Sequence, residues 1–578
     1  MSDIIKDNWK ILVLGSVIGF LFIYPHLLLR TADRAYFKGV DALGSDAETY
    51  YLSRIREVYD GYPGLGSVYL WEGKNLPYAQ PPLPEIIIAL TGKFFGVGAV
   101  VMNILAKFFL GFLLSLIIYF FVLELFSDKR LALLSVLFIL LASALTSLPD
   151  IRSVFSLEIK NMEFLRYARP VNPSLSSVFM FGYLLSFLRL TKGRDEKLNM
   201  AICSILLGLS FYVYVFTWTY IFLTNAVFCL WHLYRKNYGA VKRIFFISFV
   251  AVMIALPYFY FGYVLSQHPW YGPLWERYGF FESHKPILSK LGFLGLLSFV
   301  FSYHSFTALK RDRERFPEAN PYLGLMFLSA LLVINQQVIT GLYIANDHYH
   351  WYVVTPLAGL LILVSFYYYV ERRLGERARD IMLVILSCLF LFTGFIVQNK
   401  SYFSQRNTFL RQQRMASVFQ WLNNNAPKDS VVFASEELSS LIPAYTSSNV
   451  YYSLYSVAYL TPPERLKHNY FLQILVRGVS GKDVLSYLLE HKDSTAVYLF
   501  NLKYRYSNGC SSCFPEEINE ELAREYSEFS RKDFLALLKE YRVDYIAWDK
   551  KENYDWKLPA NSLKTVFEAD DAVIYEVL

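Results

Sequence analysis

The chain has little charge for its length. Of its 578 residues, only 18% are Asp, Glu, Lys or Arg, whereas 54% are hydrophobic and 18% aromatic. So few polar side chains cannot cover a soluble core of this size, which excludes an ordinary soluble protein and makes a lipid bilayer the expected solvent. The net charge of +7 comes from short loops between apolar runs, where basic residues set membrane orientation. A nucleic-acid partner is therefore excluded.

Cysteine is also scarce, with five residues in all. Cys203, Cys229 and Cys388 lie in apolar runs and are expected to be inert packing residues. Cys510 and Cys513 have C-x-x-C spacing without the strand-to-helix context of a redox motif, which favours a local disulfide.

Apolar runs dominate the first two thirds of the chain. A membrane span needs about 20 apolar residues. The first run lacks the small-residue cleavage site of a signal peptide. The sequence predicts a polytopic α-helical transmembrane domain over residues 1–398 with about eleven spans, at 11–29, 98–125, 131–148, 173–190, 198–213, 216–233, 243–264, 289–306, 321–342, 352–370 and 379–397. The two spans flanking Thr217 are alternatively one long, kinked helix.

Basic residues fall in alternate loops between these spans. The six clusters are Lys6/Lys10, Lys129/Arg130, Lys192–Lys197, Arg235–Arg243, Lys310–Arg315 and Arg372–Arg379. Such clusters face the cytoplasm. The pattern predicts a multi-pass protein of the plasma (inner) membrane with a cytoplasmic N-terminus. The first loop and everything after residue 398 then lie outside.

Residues 399–578 show a different pattern. Short β-rich runs alternate with helix-like segments, which predicts an extracytoplasmic α/β domain that ends in a hairpin around Asp570-Asp571. The predicted strands are 430–435, 450–453, 496–500, 543–548, 563–567 and 572–577, and the predicted helices include 409–425, 465–479 and 482–490.

Two carboxylates stand out in the first outer loop. Asp46 and Glu48 flank one residue just before an amphipathic segment. Close to a helix N-terminus, the helix dipole favours their ionised form. Either one can then accept a proton from a hydroxyl or hold a divalent cation such as Mg or Mn. The alternative is that Asp46 only caps the helix, with Thr49 three residues later.

The same loop carries further motifs around these carboxylates. Tyr51 and Arg56-Glu57 follow, then a Pro81-Pro82-Leu83 helix start, and then Phe95-Gly96. This arrangement resembles the GT-C superfamily of polyprenyl-phosphate-dependent glycosyltransferases, and within it the protein O-mannosyltransferase and lipid A aminoarabinose transferase group. The resemblance is close over residues 35–125 and holds only in topology elsewhere.

The resemblance implies an inverting glycosyltransferase in the membrane. Such an enzyme transfers a sugar from a polyprenyl-phosphate or polyprenyl-diphosphate donor to a glycan, lipid or protein acceptor outside. It implies Asp46 as general base, with Glu48 as second choice or as metal ligand with Asp46. Tyr51 and Arg56 are expected to bind substrate.

The chain departs from the family pattern in two places. The family's acidic pair is usually adjacent, whereas Ala47 separates the two carboxylates here, so the register set by Arg56 leaves Asp46 one residue early. Relatives also tend to carry an Arg early in the second helix. Asn103 lies near that place, with Lys107 one turn later.

A phosphate leaving group needs cations to offset its developing charge. Lys160, Arg166 and Arg169 of the second outer loop are candidates, since Arg suits bidentate phosphate contact; lipid-headgroup contact is the alternative. His348 and His350 are further candidates for phosphate contact and a weak signal for metal, or they belong to an interfacial aromatic belt. A second acidic site is possible at Asp150, Glu158 and Glu163.

Two other classes of function remain open. A transporter or flippase for lipid-linked sugars requires inverted repeats or paired broken helices, and the sequence shows neither clearly. A non-catalytic membrane scaffold would use the outer domain as its binding module. Purified protein and a labelled lipid donor distinguish the three, because only an enzyme releases lipid phosphate and forms a glycosylated product.

Overall fold

A computed structural model describes residues 2–44, 47–156, 158, 162–307, 319–559, 563–569 and 571–577. These residues form a helical bundle followed by a C-terminal domain of mixed helix and strand. The expected fold class, a polytopic α-helical membrane protein with a C-terminal α/β domain, is therefore confirmed.

The bundle contains the long apolar helices. Its elements are α1 (Ser2–Thr31), α2 (Glu48–Tyr59), α3 (Leu83–Phe94), α4 (Ala99–Phe126), α5 (Lys129–Leu141), α6 (Leu148–Phe155), α7 (Ser176–Thr191), α8 (Glu196–Ser210), α9 (Val215–Tyr234), α10 (Tyr238–Ser266), α11 (Tyr271–Arg277), α12 (Lys290–Thr307), α13 (Ala319–Val333), α14 (Gln337–Thr340), α15 (Asp347–Tyr349) and α16 (Thr355–Gln412). A short ribbon pairs β1 (Phe281–Glu282) with β2 (Leu342–Tyr343).

Each predicted span overlaps one of these helices. By length and composition, five helical segments among the described residues are long and apolar enough to cross a bilayer. Two predicted spans are shorter than expected, because α5 ends at Leu141 and α13 at Val333. Around Thr217 the chain forms two helices, α8 and α9, and not one kinked helix.

The last two predicted spans are joined through Gly375. This glycine has φ 83° inside α16, a left-handed conformation that suits a residue without a Cβ. The Phe138 ring of α5 contacts Gly359 on one side of Gly375 and Phe390 on the other. Because both positions lie about 15 residues from Gly375, the two halves of α16 run side by side in opposite directions.

Ion pairs join the basic clusters at one end of the bundle. Arg130 pairs with Asp380, and Arg194 pairs with Glu124 at 3.0 Å. The Asn8 side chain near the start of α1 accepts a hydrogen bond from Tyr119 near the end of α4. The first loop, which follows the other end of α1, thus lies at the opposite end from these clusters. Which of the two ends faces the cytoplasm stays a prediction.

The C-terminal domain is built on a five-stranded mixed sheet. Its strands are β3 (Val431–Ala434), β4 (Asn449–Val450), β5 (Tyr545–Asp549), β6 (Lys564–Ala569) and β7 (Ala572–Glu576), in the order β4-β3-β5-β7-β6. β3 is parallel to β4 and β5, whereas β7 is antiparallel to β5 and β6. The predicted terminal hairpin is therefore confirmed.

Helices cover this sheet. They are α17 (Ala416–Asn425), α18 (Glu436–Tyr445), α19 (Pro463–Val476), α20 (Val484–Glu490), α21 (Lys492–Phe500), α22 (Lys503–Ser507), α23 (Glu516–Phe529) and α24 (Phe534–Glu540). The predicted strand at 496–500 is wrong, because these residues belong to α21. A short apolar run does not distinguish a strand from a buried helix, and Ala496 and Leu499 are buried at a helical spacing.

The two faces of the sheet bury different partners. Val432 and Ala434 of β3 share a hydrophobic core with Leu52 and Ile55 of α2, whereas Val431 and Phe433 face the domain's own helices. Since neighbouring side chains of a strand point to opposite faces, one strand serves both cores. The first loop therefore lies between the bundle and the C-terminal domain and packs against both. The predicted boundary at residue 398 falls inside α16, which runs on to Gln412.

Candidate active site

Glu48 is the first residue of α2 and is almost fully buried. Its carboxylate forms an ion pair with Lys107 of α4, and its Oε2 accepts a hydrogen bond of 2.8 Å from the Gly44 N–H. The residue before α2 is Ala47, and the alternative that Asp46 caps the helix falls on a residue that the structure does not describe. Asp46 itself lies outside the described residues.

The surroundings of Glu48 keep its carboxylate ionised. Burial raises the pKa of a carboxyl group, but the ammonium of Lys107 and the Gly44 N–H favour the charged form. The net result is a pKa of Glu48 below its ordinary value. Glu48 is therefore a fixed negative charge that holds a proton poorly.

A chain of charged residues continues behind Glu48. Lys107 Nζ lies 2.8 Å from His26 Nε2, and His26 Nδ1 lies 3.6 Å from Asp41 Oδ1. Arg30 completes the chain with a bidentate pair to Asp41, whose two oxygens it contacts at 2.9 Å. His26, Arg30 and Asp41 were not predicted as site residues from the sequence. The signal was present, because a histidine inside an apolar span is costly and needs a partner.

Glu48 borders a cavity of about 100 Å³ that also contains two guanidinium groups. Arg166 and Arg169 line it together with Phe164 and Trp351. The Arg166 guanidinium lies 5.1 Å from the centre of the Trp351 ring, and Arg169 donates a hydrogen bond of 2.8 Å to the Tyr352 hydroxyl. The structure thus brings one predicted carboxylate and two predicted phosphate ligands to the same cavity.

The segment that carries these arginines is held by α16. The Leu165 N–H donates to Gln398 Oε1 at 2.9 Å, and the Gln398 amide donates to the Leu21 carbonyl of α1 at 2.7 Å. Ser401 donates to the Glu163 carbonyl at 2.7 Å. Two neighbouring turns of α16 therefore hold the second outer loop and also contact α1.

Tyr51 lies one helical turn after Glu48. Its hydroxyl accepts a hydrogen bond of 3.3 Å from the Asn172 amide. Burial raises the pKa of Tyr51 to about 12, although Asn172 and Arg169 favour its anion. Tyr51 is therefore a neutral hydrogen-bonding group at physiological pH.

The two predicted histidines sit next to the cavity in different settings. His348 Nδ1 is hydrogen-bonded to the Tyr214 hydroxyl, and its ring stacks on Phe216 at 4.8 Å. Its centroid lies 5.7 Å from Tyr352, the ring that Arg169 contacts. His350 Nδ1 lies 3.3 Å from the Ser289 hydroxyl. His348 is thus close to Arg169, whereas His350 points toward α12.

Of the remaining predicted residues that the structure describes, Glu163 reaches this cavity and Arg56, Asp150 and Glu158 do not line it. Arg56 pairs with Asp60 at 3.0 Å near the end of α2. Lys160 lies outside the described residues. Of the proposed second acidic site, Glu163 lines the cavity, whereas Asp150 is exposed on α6 and Glu158 is exposed in the loop that follows.

The described residues do not fit a divalent cation. Among them there is no group of three or more His, Cys, Asp or Glu side chains placed to hold a metal ion. Both oxygens of Glu48 are engaged by Lys107 and Gly44, and an adjacent ammonium repels a cation. The divalent cation expected from the sequence stays a prediction.

The end of α11 contacts the C-terminal domain. The buried guanidinium of Arg277 donates to the carbonyls of Val457, Tyr459 and Thr461 at 2.9–3.1 Å. In the same domain, Cys510 and Cys513 form the expected disulfide.

No family model and no curated protein matches the chain. Several solved structures are similar. The apo oligosaccharyltransferase of Archaeoglobus fulgidus has a TM-score of 0.47 at 14% identity, over 94% of this chain and 70% of that one. ArnT from Cupriavidus metallidurans in the apo state has a TM-score of 0.45 at 12% identity, over 96% and 97% of the two chains.

A third structure, ArnT from Cupriavidus metallidurans bound to undecaprenyl phosphate, has a TM-score of 0.43 at 13% identity, over 76% of this chain and 88% of that one. What the site itself offers is one ionised carboxylate and two guanidinium groups in a single cavity, at the end of the bundle that bears the C-terminal domain.

Proposed function

We propose that the chain is a membrane glycosyltransferase of the GT-C type. It transfers a sugar from a polyprenyl-phosphate or polyprenyl-diphosphate donor to an acceptor at the face of the membrane that carries the C-terminal domain. The transfer inverts the anomeric centre. The proposal rests on the motifs of the first loop and on the cavity that Glu48 shares with Arg166 and Arg169.

The single observation that carries the proposal is this shared cavity. A polyprenyl-phosphate donor keeps its lipid in the bilayer, so its phosphate must be met at the membrane surface. Arg166 and Arg169 supply two guanidinium groups there, and planar guanidinium groups match the geometry of phosphate oxygens. Arg169 is also oriented by Tyr352, so its position is fixed before a ligand arrives.

The reaction requires one base and one stabilised leaving group. A hydroxyl oxygen of the acceptor attacks the anomeric carbon of the donor, and its proton passes to a carboxylate. The bond between the anomeric carbon and the phosphate oxygen breaks, and polyprenyl phosphate leaves with the electron pair. Arg166 and Arg169 offset the charge that develops on that phosphate.

The base is assigned to Asp46. Glu48 is already bound to Lys107 and to the Gly44 N–H, and its pKa lies below the ordinary value, so it accepts a proton less readily. In this assignment Glu48 holds the start of α2 and contributes a fixed negative charge. Its role as second choice for the base is tested together with that of Asp46.

The test uses purified full-length protein and a radiolabelled polyprenyl-phosphate sugar in proteoliposomes. We expect release of polyprenyl phosphate from the donor. Asp46→Asn should lower that rate by about 100-fold or more, since it removes general-base catalysis, and should leave thermal unfolding unchanged. Arg34→Gln, at an exposed position of the same loop, is the control and should retain activity.

Three outcomes would contradict the proposal or its assignment. Full activity of Asp46→Asn together with loss of activity in Glu48→Gln would transfer the role of base to Glu48. Movement of the intact donor across the bilayer without cleavage would identify a flippase. No cleavage and no movement would identify a scaffold.

A further inference from the structure

A second and larger cavity adjoins the Glu48 cavity. It has a volume of about 430 Å³, and its walls come from the first loop, the second outer loop, the end of α16 and α18. Gly44 and Glu163 line both cavities. A molecule in the larger cavity would therefore lie next to the place where Glu48, Arg166 and Arg169 meet.

One wall of this cavity is a polar face of α16. Ser404, Gln405, Thr408 and Gln412 line it, and their spacing puts them on one side of the helix. The same helix carries the exposed Asn407 on another side. The polar face lies in the part of α16 that extends beyond the predicted end of the last span.

The rest of the described lining includes one carboxylate, that of Glu163, and three apolar side chains, those of Leu43, Met162 and Phe409. The wall that faces α16 is polar. Thr49 of α2, Ser440 of α18 and Tyr455 contribute to it. The Tyr455 ring lies 5.5 Å from the rings of both Tyr50 and Tyr69, so it is held in one orientation. Among the described residues that line the cavity, none is Lys or Arg.

This lining matches one class of ligand. Amides and hydroxyls donate and accept hydrogen bonds without a net charge, which suits the hydroxyl groups of a sugar. An anionic lipid headgroup would call for guanidinium or ammonium groups, and none lines the described part of this cavity, whereas the carboxylate of Glu163 can accept hydrogen bonds from sugar hydroxyls. A fixed aromatic ring such as Tyr455 offers an apolar face for the C–H side of a sugar ring.

We propose that this cavity, here called the α16 cavity, binds the acceptor and that the acceptor is a neutral glycan. The proposal rests on the proposed function and selects one of the three acceptor classes that the sequence left open. A glycan in the α16 cavity extends toward Gly44 and Glu163. Its terminal hydroxyl then reaches the Glu48 cavity, where the donor phosphate is bound.

The test measures binding without a donor. Detergent-solubilised full-length protein is titrated with neutral trisaccharides of glucose, mannose and galactose, and saturation-transfer NMR detects the bound sugar. We expect at least one of them to bind. Thr408→Trp, which places a large ring in the α16 cavity, should weaken this binding by about tenfold or more, equivalent to about 1.4 kcal/mol.

Asn407→Trp is the matched control, because it puts the same ring on an exposed side of the same helix. It should bind the trisaccharide as the unmodified chain does. If Thr408→Trp does not fold, Thr408→Val replaces it; this variant removes the hydroxyl at nearly constant volume and should still weaken binding several-fold.

Three results would overturn the proposal. The first is that none of the trisaccharides binds at millimolar concentration. The second is that the Thr408→Trp variant binds the sugar as well as the Asn407→Trp variant does. The third is that a hydroxyl-bearing peptide or an anionic lipid binds instead, and that Thr408→Trp weakens its binding. Donor cleavage by the unmodified chain is measured in parallel. Cleavage without glycan binding contradicts only this proposal, whereas glycan binding without cleavage contradicts only the glycosyltransferase.

Discussion

Lys107 is the residue on which the buried charge of Glu48 depends. Both side chains are almost inaccessible to solvent and form an ion pair. Removal of one partner from a buried pair leaves the other charge without compensation, which costs far more than the pair contributes. A measurement of the free energy of unfolding can therefore test whether the buried charge of Glu48 depends on Lys107.

Lys107→Met should destabilise the fold by about 3–5 kcal/mol. The double variant Glu48→Gln/Lys107→Met should recover part of this loss, because no unpaired charge remains. Chemical unfolding in detergent, followed by tryptophan fluorescence, measures both. Lys503→Met, which breaks an exposed pair with Glu276, should cost less than about 1 kcal/mol. If Lys107→Met and Lys503→Met lowered the free energy of unfolding equally, the charge of Glu48 would not depend on Lys107.

His468 gives the C-terminal domain a dependence on pH. It is buried beside Phe529 and Tyr541, and its Nε2 lies 2.7 Å from the Tyr451 hydroxyl. Burial, together with the nearby positive charge of Arg465, lowers the pKa of His468 to about 4. The unfolded chain therefore binds a proton at a higher pH than the folded chain does.

Stability should accordingly fall as the pH decreases from about 6.5 toward about 4, since in this window the unfolded state takes up the proton. Thermal unfolding of the full chain across this range measures the fall. His468→Gln should reduce the slope, whereas the exposed His284→Gln should not. A slope unchanged by His468→Gln would show that other groups govern it.

Sequence and structure agree in part at the scale of single residues. Glu48, Arg166 and Arg169 were recognisable by residue type and by their place in outer loops, and the structure brings them to one cavity. The pairing of Glu48 with Lys107 was not predictable, because 59 positions of sequence separate them. Such contacts depend on how α2 packs against α4, and a single sequence contains no measure of that packing.

At the scale of elements, α11 links the bundle to the C-terminal domain. Arg277 at its end donates to three backbone carbonyls of the segment 457–461. Burial lowers the pKa of Arg277 to about 10, which leaves the guanidinium charged at neutral pH. Loss of these bonds would leave buried carbonyls unpaired, each at a cost of about 1–3 kcal/mol.

Arg277→Met should therefore increase amide hydrogen exchange over residues 454–461. The exchange of β3 and β5 in the sheet should change little, because their hydrogen bonds do not involve α11. Glu276→Gln is the control, since it breaks only the exposed pair with Lys503. Unchanged exchange over 454–461 in Arg277→Met would show that α11 does not hold this segment.

Helices were more predictable than strands. Apolar runs of about 20 residues admit few interpretations in a membrane protein, and each of them corresponds to helix. The predicted strand at 496–500 forms α21 instead, and the predicted strand at 450–453 is limited to Asn449–Val450. Short runs are decided by what packs against them, here the core that contains Leu499 and Val484.

At the scale of the whole molecule, the bundle and the C-terminal domain share a core. Leu52 and Ile55 of α2 are fully buried against the sheet side of that core. A chain that ends at Gln412 would expose this apolar face to water at the membrane surface. The domain therefore supports the first loop and is more than an appended module.

A chain truncated after Gln412 should lose the ordered first loop and, with it, donor cleavage. Limited trypsin digestion near Arg54 and Arg56 and size-exclusion chromatography in detergent measure the loss. The full-length chain, digested under the same conditions, should resist cleavage there because Arg54 is buried. A truncated chain that is monodisperse, protease-resistant and active would contradict this role of the domain.

The orientation of the whole molecule in the membrane stays a prediction from the basic clusters. The Cys510–Cys513 disulfide agrees with an oxidising, extracytoplasmic compartment for the C-terminal domain. The prediction of a cytoplasmic N-terminus came from the same Lys/Arg bias. The disulfide and the Lys/Arg bias both favour a C-terminal domain that lies outside the cytoplasm.

The second half of α16 continues without interruption from Gly375 at the basic end to Gln412 beside the sheet. At 1.5 Å per residue, this is a rod of about 55 Å. A continuous helix of this length couples the orientation of the membrane-embedded part to that of the C-terminal domain. It therefore restricts independent rotation of the domain. In the proposed function, substrates would therefore reach the site between the loops and not through separation of the C-terminal domain from the bundle.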